Sequence, residues 1–313
     1  MTPTAVTYQL HNWSIRSEVT LPACTLPADT SRHDLQIQYG PRRHVPGTAP
    51  GGHPLALLDD PQGVALCQTQ TGHTLRFYGT CDFELDQTAR VLTVHLDHRA
   101  DARLAELLLT SSALSFLLEL RGQSVIHASA VVLDDRAVAF IGPSACGKTS
   151  LAAALCAQGA PLLSDDVLCC YLSPLPRCHR GAVALRLRTE SHHLAGLFPN
   201  AEQSIDQRCV VQATPARDTN YPLAALLAPE SAATLHLARC SGVDAVALLL
   251  KAARVTSWCS SEQARQQFSA LATLARHVPV YRLGLPTDLV LTADGRRSLT
   301  NTVLSLLDTP GGS

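Results

Sequence analysis

Short alternations of apolar and polar residues dominate the first hundred positions of this 313-residue chain. The runs are separated by turn-forming residues, among them Pro46-Gly47 and the Pro-Gly-Gly of residues 50–52. Alternation of this kind is typical of half-buried strands. The predicted strands are residues 7–10, 14–21, 35–39, 65–67, 74–78 and 91–96. The pattern therefore indicates a β-rich N-terminal region.

The pattern changes after about residue 100. Residues 102–120 are rich in Leu, Ala and Ser and contain neither Gly nor Pro, which favours a buried or amphipathic helix. Gly122 then provides a natural stop. We place the change of domain within this segment and predict an N-terminal β-rich (α+β) domain, residues 1–112, followed by a second domain, residues 113–313.

The second domain opens with two extended apolar runs around a short polar turn, the pattern of a β-hairpin. We interpret Asp134-Asp135 as this turn rather than as a catalytic pair. Further on, a strongly helix-forming run stops at Gly159, which suits a helix C-cap. The predicted elements are the hairpin of residues 124–133 and 137–141, a helix over residues 150–158 and a strand over residues 161–163.

The second hairpin strand leads directly into a phosphate-binding loop pattern. Its residues are Gly142, Pro143, Ser144, Ala145, Cys146, Gly147, Lys148 and Thr149. In such a loop, backbone N–H groups surround phosphates, the lysine reaches the terminal phosphates, and the threonine opens a helix while its hydroxyl binds Mg²⁺. We therefore predict that these residues, together with Ser150, bind a nucleoside triphosphate.

Two adjacent carboxylates, Asp165 and Asp166, follow the predicted strand at residues 161–163. An arbitrary Asp-Asp pair is more often a polar turn. Here a strand, a phosphate loop, a helix and a second strand bring the pair to the carboxyl edge of the sheet, where α/β folds bind ligands. Phosphoryl transfer uses a metal ion and a group that accepts the proton of the attacking hydroxyl. One carboxylate can serve each task.

Composition excludes some classes of partner. The chain has 25 basic and 26 acidic side chains, a formal net charge of −1 and no dense basic run, so we expect neither nucleic acid nor an anionic membrane as partner. The apolar stretch at residues 104–120 is too short and too often interrupted to span a bilayer. The first residues lack the pattern of a secretory signal, and we expect a cytoplasmic protein.

The eleven cysteines are scattered and contain no Cys-x-x-Cys pair. Small apolar thiols are the default interpretation. One cluster, Cys169, Cys170, Cys178 and His179, has four potential metal ligands, but its spacing matches no established zinc pattern. A redox role for Cys146, inside the phosphate loop, is an alternative to a merely tolerated residue.

A lone histidine on a strand, such as His127, is more often a structural hydrogen-bonding group than a catalyst. Its place in the chain changes this view. The order of His127, hairpin, phosphate loop, helix, glycine, strand and Asp165-Asp166 resembles the catalytic domain of HPr serine kinase/phosphorylase and of its shorter relatives. The resemblance covers residues 126–168, with His-Ala-Ser-Ala-Val, Gly-x-Ser-x-x-Gly-Lys-Thr and Gly-x-x-Leu-Leu-x-Asp-Asp-Val all in register.

This resemblance implies an α/β fold with a P-loop kinase core of the HPr kinase/PEP carboxykinase-like type, and ATP and Mg²⁺ as cofactors. It implies that Asp165 is the base facing the acceptor hydroxyl and that His127 lies beside the transferred phosphate. Asp166 and Thr149 would bind the metal, and Lys148 the nucleotide phosphates. Residues 221–227 and 278–283 look like later strands of HPr kinase-like proteins, some of which accompany lasso peptide biosynthesis and phosphorylate a serine of the precursor peptide.

The chain also departs from the family pattern. The glutamate-arginine signature and the arginine-containing loop that engage HPr are not recognisable, so HPr as substrate is not expected. Arg186 and Arg188 are the nearest candidates for stabilising transition-state charge, with a solvated strand face as the alternative. Arg254 and Arg282 have no better claim. Ala145 stands where relatives usually have glycine, which is harmless if that position keeps a right-handed backbone conformation.

The hypothesis that follows is an ATP- and Mg²⁺-dependent kinase acting on a hydroxyl, foremost a serine of a peptide such as a ribosomally made natural-product precursor. A kinase for a free small molecule and a non-catalytic nucleotide-binding regulator are the alternatives. The resemblance also raises a homo-oligomer, since members of the family form hexamers.

Overall fold

The structure is a computed structural model, and it describes residues 4–22, 24, 32–58, 63–172, 174–255, 258 and 260–308. Over these residues the fold is mixed α/β, with large β-sheets and several helices. The chain forms two compact units, Met1–Gly122 with Val255–Gln267, and Gln123–Arg254 with Phe268–Ser313. No helix in the described part of the chain has the length and apolar character needed to cross a membrane.

The first unit is built on an eight-stranded sheet, so the N-terminal region is β-rich as predicted. Its spatial order is β1-β2-β3-β8-β7-β6-β5-β4, with parallel pairing only at β2/β3 and β3/β8. The strands are β1 (Val6–Leu10), β2 (Trp13–Ser17), β3 (Leu35–Tyr39), β4 (His53–Leu58), β5 (Val64–Thr69), β6 (Gly72–Phe77), β7 (Cys81–Asp86) and β8 (Val91–Leu96). The alternation missed β4, whose second residue is Pro54, and also missed β7.

The predicted helix at residues 102–120 is present in three consecutive pieces. These are α1 (Ala102–Leu108), a π-helical turn (Leu109–Ala113) and α2 (Leu114–Leu120). Asp101 caps the start, because its side chain accepts a hydrogen bond from the Arg103 N–H. The whole segment stays with the first unit, whose first stretch of chain ends at Gly122. The position after residue 112, where we predicted the domain boundary, lies inside this helical segment.

The second unit contains a nine-stranded and a three-stranded sheet. Its strands are β9 (Ser124–Ile126), β10 (Ala128–Leu133), β11 (Arg136–Ile141), β12 (Leu162–Ser164), β13 (Leu168–Tyr171), β14 (Arg177–His179), β15 (Ala184–Leu187), β16 (Ala201–Gln203), β17 (Cys209–Gln212), β18 (Asn220–Ser231), β19 (His236–Arg239) and β20 (Val280–Leu285). The remaining helices are α3 (Lys148–Cys156), α4 (Gly242–Ala252), α5 (Ser261–His277), α6 (Ala293–Asp308) and two 3₁₀ helices, Thr189–Leu197 and Leu289–Leu291. The first residues of α5 belong to the first unit.

The hairpin predicted around Asp134-Asp135 is confirmed. Strands β10 and β11 pair antiparallel from Ala128/Ile141 to Leu133/Arg136. The two aspartates have positive φ values of 46° and 55°, as a two-residue hairpin turn requires. His127 interrupts the first predicted run, which becomes β9 and β10.

The order of strands brings several chain ends to one edge of the nine-stranded sheet. Strand β10 lies between β11 and β12 and is antiparallel to both. The carboxyl ends of β11 and β12 and the amino end of β10 therefore share one edge. Residues 142–149 follow β11, Asp165 follows β12, and His127 precedes β10.

Side chains alternate between two apolar clusters along β10 and β11. Ala128, Ala130 and Ile141 face a cluster that includes residues of α4 and α5. Val131 and Phe140 face another, built with residues of α3 and α6. The sheet is thus covered on both faces, which explains why these strands are apolar along their whole length.

Candidate active site

The loop between β11 and α3 holds three residues in the left-handed half of backbone space. Gly142 has a φ of 138°, Ala145 of 68° and Gly147 of 91°. Glycine adopts such angles without strain, whereas an L-residue is strained there because its Cβ lies close to the backbone. Ala145 therefore lacks the right-handed conformation that would make an alanine harmless at this position.

Lys148 is folded back onto its own loop. Its Nζ donates hydrogen bonds to the carbonyl oxygens of Gly142 (2.9 Å) and Pro143 (2.7 Å) and lies 3.8 Å from Cys146 Sγ. The residue is only 5% exposed, and burial lowers the pKa of its ammonium group below the usual value. A buried ammonium group whose close oxygen partners are neutral carbonyls is arranged to receive an anion.

The Asp165 carboxylate lies next to the first turn of α3. One oxygen, Oδ1, accepts hydrogen bonds from Ser129 Oγ (2.5 Å) and Thr149 Oγ1 (3.0 Å), and Oδ2 accepts one from the Arg186 backbone N–H (3.1 Å). Asp165 is 4% exposed, and burial raises the pKa of its carboxyl above the ordinary value, although the Ser129 hydrogen bond opposes this. A raised pKa makes this carboxylate a better proton acceptor.

Asp166 has different partners from its neighbour. His127 Nδ1 lies 3.0 Å from Asp166 Oδ1, and the Arg254 guanidinium lies 3.1 Å from Oδ2. His127 Nδ1 is also 3.0 Å from the Asp166 carbonyl oxygen. Burial alone would raise the pKa of Asp166, but the charge of Arg254 and the interactions with His127 hold it well below its ordinary value. The two adjacent carboxylates thus differ in proton affinity.

The arginine candidates lie in two places. The Arg186 side chain pairs with Asp206 at 2.5 Å, and its backbone N–H is the group that contacts Asp165. The exposed Arg188 donates to Ser144 Oγ at 2.8 Å, so it reaches the loop of residues 142–149. At the other end of that loop, Ser150 Oγ lies 2.6 Å from Ser191 Oγ.

The oxygen donors suit Mg²⁺ in kind. Thr149 and Asp165 are hydrogen-bonded to each other, and Asp166 is the next residue. The described residues contain no group of three or more His, Cys, Asp or Glu side chains arranged to hold a metal ion. Mg²⁺ commonly uses one or two carboxylates together with substrate phosphates, so this donor set fits an ion that arrives with a nucleotide.

Sequence reasoning gave no role to Ser129 and no distinct role to Arg254. Ser129 is a 1% exposed polar residue within the fully buried strand β10, and its hydroxyl bonds to Asp165. A polar residue in an apolar run was a usable signal, because buried hydroxyls need partners. Arg254 carried no such signal, since it lies 88 positions after Asp166.

The four potential ligands near residue 170 do not form a common site. Cys170 and Cys178 are opposite each other on β13 and β14, with their Sγ atoms 3.7 Å apart in the apolar core. The side chains of Cys169 and His179 point to the other face, because neighbouring residues of a strand alternate.

The similarity of this chain to known proteins is confined to structure. No protein-family profile and no curated protein matches it. Among solved structures, it is similar to the Hpr(Ser) kinase/phosphatase from Coxiella burnetii, at 10% sequence identity and a TM-score of 0.31, with 58% of this chain and 94% of that chain covered.

Proposed function

We propose that this protein is an ATP- and Mg²⁺-dependent kinase that transfers the γ-phosphate to a hydroxyl group, most specifically to a serine of a peptide. The observation that carries the proposal is the hydrogen bond between Thr149 and Asp165. This hydrogen bond joins the first turn of α3, which follows the loop of residues 142–147, to the Asp165 carboxylate, whose pKa is raised. Phosphate binding and proton acceptance thereby meet at one edge of the sheet.

The residues divide the work as follows. The N–H groups of residues 142–150 and the Lys148 ammonium group bind the nucleotide phosphates. Asp165 accepts the proton of the acceptor hydroxyl as the oxygen attacks the γ-phosphorus and the bond to the β-phosphate oxygen breaks. Asp166 and Thr149 bind Mg²⁺, and His127 lies beside the transferred group. Mg²⁺ would supply neutralisation of the phosphate charge.

The choice of a peptide serine rests on the sequence resemblance of residues 126–168 to HPr kinase-like proteins. The missing HPr-specific signatures favour a different peptide, such as a lasso peptide precursor. Action in the cytoplasm and a homo-oligomeric state belong to the same proposal. Arg188, hydrogen-bonded to Ser144 in the loop, is a candidate for stabilising charge on the transferred group.

The test is incubation of the protein with ATP, Mg²⁺ and two separate pools, one of serine-containing peptides and one of small hydroxyl metabolites. Mass spectrometry identifies the acceptor by the added mass of one phosphate. A matched peptide pool with alanine in place of serine and the Lys148→Ala protein serve as controls. Phosphate on serine peptides alone supports the proposal. Phosphate only on metabolites contradicts the peptide acceptor, and bound nucleotide without any transfer contradicts the kinase.

A further inference from the structure

The backbone fixes Arg254 beside the candidate site through contacts that do not involve its own side chain. Helix α4 ends at Ala252, whose carbonyl oxygen accepts a 2.7 Å hydrogen bond from the His127 N–H. Ala253 then forms a β-bridge with Ile126. The residues on either side of these contacts, Arg254 and His127, are therefore delivered together to the edge of the sheet.

From this position the Arg254 side chain and His127 hold opposite oxygens of one carboxylate. Arg254 Nη2 lies 3.1 Å from Asp166 Oδ2, and His127 Nδ1 lies 3.0 Å from Oδ1. The exposed fractions of the three side chains are between 20% and 24%. An ion pair that is mostly removed from water fixes orientation more firmly than a surface pair, because its charges are less screened.

The backbone of Asp166 explains why its orientation needs support. Its φ is 71°, in the left-handed region, within a tight turn closed by the Val167 N–H bonding to the Asp165 carbonyl oxygen at 2.9 Å. Aspartate tolerates this conformation better than most residues, but the turn does not by itself select a side-chain rotamer. The side-chain rotamer is selected by the two partners of the carboxylate, Arg254 and His127.

We infer that Arg254 is a positioning residue, which holds the Asp166 carboxylate in the orientation used for phosphoryl transfer. The inference rests on the proposed function, because it gives Arg254 a task only in a site that transfers phosphate. Arg254 acts through Asp166, and the nucleotide phosphates are bound by other residues. Its loss should therefore affect the rate of transfer more than the binding of ATP.

The experiment measures steady-state phosphorylation of the accepted substrate by wild type, Arg254→Met and Arg254→Lys. Arg282→Met is the matched control, since Arg282 pairs with Glu230 at the same 3.1 Å on an exposed part of the same unit. A misplaced catalytic group costs on the order of 100-fold in rate, so kcat of Arg254→Met should fall by about this factor. Its KM for ATP should stay within about threefold of the wild-type value, because phosphate contacts are kept.

Arg254→Lys keeps the positive charge and should recover at least about tenfold of the lost kcat. Arg282→Met should retain wild-type kcat. Thermal unfolding of each variant is measured alongside, so that a loss of folded protein is separated from a loss of rate. A kcat of Arg254→Met equal to wild type, or the same kcat loss in Arg282→Met, overturns the inference and leaves the kinase standing. A wild-type protein that transfers no phosphate to any acceptor overturns both.

Discussion

The Thr149 hydroxyl donates a 3.0 Å hydrogen bond to Asp165, which ties the first turn of α3 to the residue after β12. The Ser129 hydroxyl of β10 bonds to the same carboxylate oxygen at 2.5 Å. One oxygen therefore connects three elements at the edge of the sheet. The distance between the proposed phosphate-binding residues and the candidate base is set by the fold before any ligand arrives, which is the preorganisation that phosphoryl transfer would use.

Asp165→Asn should retain nucleotide binding and lose phosphate transfer. Asparagine keeps the shape of the side chain but has no basic carboxylate, and general-base catalysis contributes on the order of 10²- to 10⁴-fold. We expect the transfer rate to fall by about this range, while the Kd for ATP stays within about threefold. Rapid-quench kinetics with labelled ATP and calorimetric titration measure the two quantities.

The matched control is Asp134→Asn, the same chemical change in another Asp-Asp pair of the chain. Asp134 lies in the β10–β11 turn, at the opposite end of these strands from Asp165. Transfer should be unchanged, since asparagine suits positive φ angles as well as aspartate does. Full transfer by Asp165→Asn would show that another group is the base.

Lys148→Ala should weaken both nucleotide binding and transfer, because in the proposed function the ammonium group interacts with the phosphates in the ground state and during the reaction. The chain has two lysines, Lys148 and Lys251, which makes this residue easy to test. Lys251→Ala, on an exposed part of α4, is the control and should bind and react as wild type does. Equal nucleotide affinity of both variants would contradict the assignment of Lys148.

The two lysines also permit a chemical measurement that needs no acceptor substrate. An ATP derivative whose terminal phosphate is esterified as an acyl phosphate acylates a nearby lysine amine and releases ATP. Peptide mass spectrometry should find the acyl group on Lys148 and not on Lys251, and excess ATP should prevent the labelling. Equal labelling of both residues would mean that the loop does not hold the nucleotide.

Ala145→Gly should stabilise the unliganded protein. The φ of 68° places an alanine Cβ in a conformation that costs about 1–3 kcal/mol, part of which is offset by the greater freedom of glycine in the unfolded chain. We expect the free energy of unfolding to rise by roughly 0.5–1 kcal/mol in denaturant titrations. Ala157→Gly, at a right-handed position after α3, should lower it by a similar amount. A loss of stability in both variants would refute the strain at Ala145.

Local pattern predicted the elements of the site well. The β10–β11 hairpin and its aspartate turn, helix α3 with its stop at Gly159, and the strand before Asp165 all lie close to the predicted positions. Each can be predicted from the hydrophobic periodicity, the turn-forming residues or the helix propensity of a short stretch of sequence. The pairing of β10 with β11 also follows, because these two strands are adjacent in the chain.

The contacts that sequence reasoning could not supply come from distant segments. Arg254 reaches Asp166 from 88 residues away, through the end of α4 and a β-bridge that no local window contains. Nothing in the sequence indicated which groups contact Asp165 and which contact Asp166. Thr149 was grouped with Asp166 as a metal-binding pair, and the structure places its hydroxyl on Asp165. Side-chain direction after a tight turn depends on tertiary neighbours, so periodicity carries no information about it.

Glu119, at the end of α2, offers a prediction for the first unit. The amide of Gln267 donates hydrogen bonds of 3.0 and 3.3 Å to its two oxygens. Burial raises the pKa of the Glu119 carboxyl from 4.5 to about 8, although these hydrogen bonds oppose the shift. The folded state thus binds a proton that the unfolded chain releases at a much lower pH.

The difference in proton binding by Glu119 between the folded and unfolded states determines how the free energy of unfolding changes with pH. The pKa of Glu119 is higher in the folded state than in the unfolded state. Its contribution to the free energy of unfolding is therefore fully present below about pH 4.5 and is lost as the pH rises to about 8. Glu119→Gln mimics the protonated form and should remove this loss, gaining roughly 2–4 kcal/mol relative to wild type between pH 5 and pH 8.5. Denaturant titrations across this range measure the difference.

The control is Glu262→Gln, at an exposed position of α5 where the carboxyl pKa is lowered. It should leave the slope of the free energy of unfolding against pH as in wild type, because Glu262 is ionised throughout. Parallel curves for wild type and Glu119→Gln would show that Glu119 is already ionised in the folded protein near neutral pH.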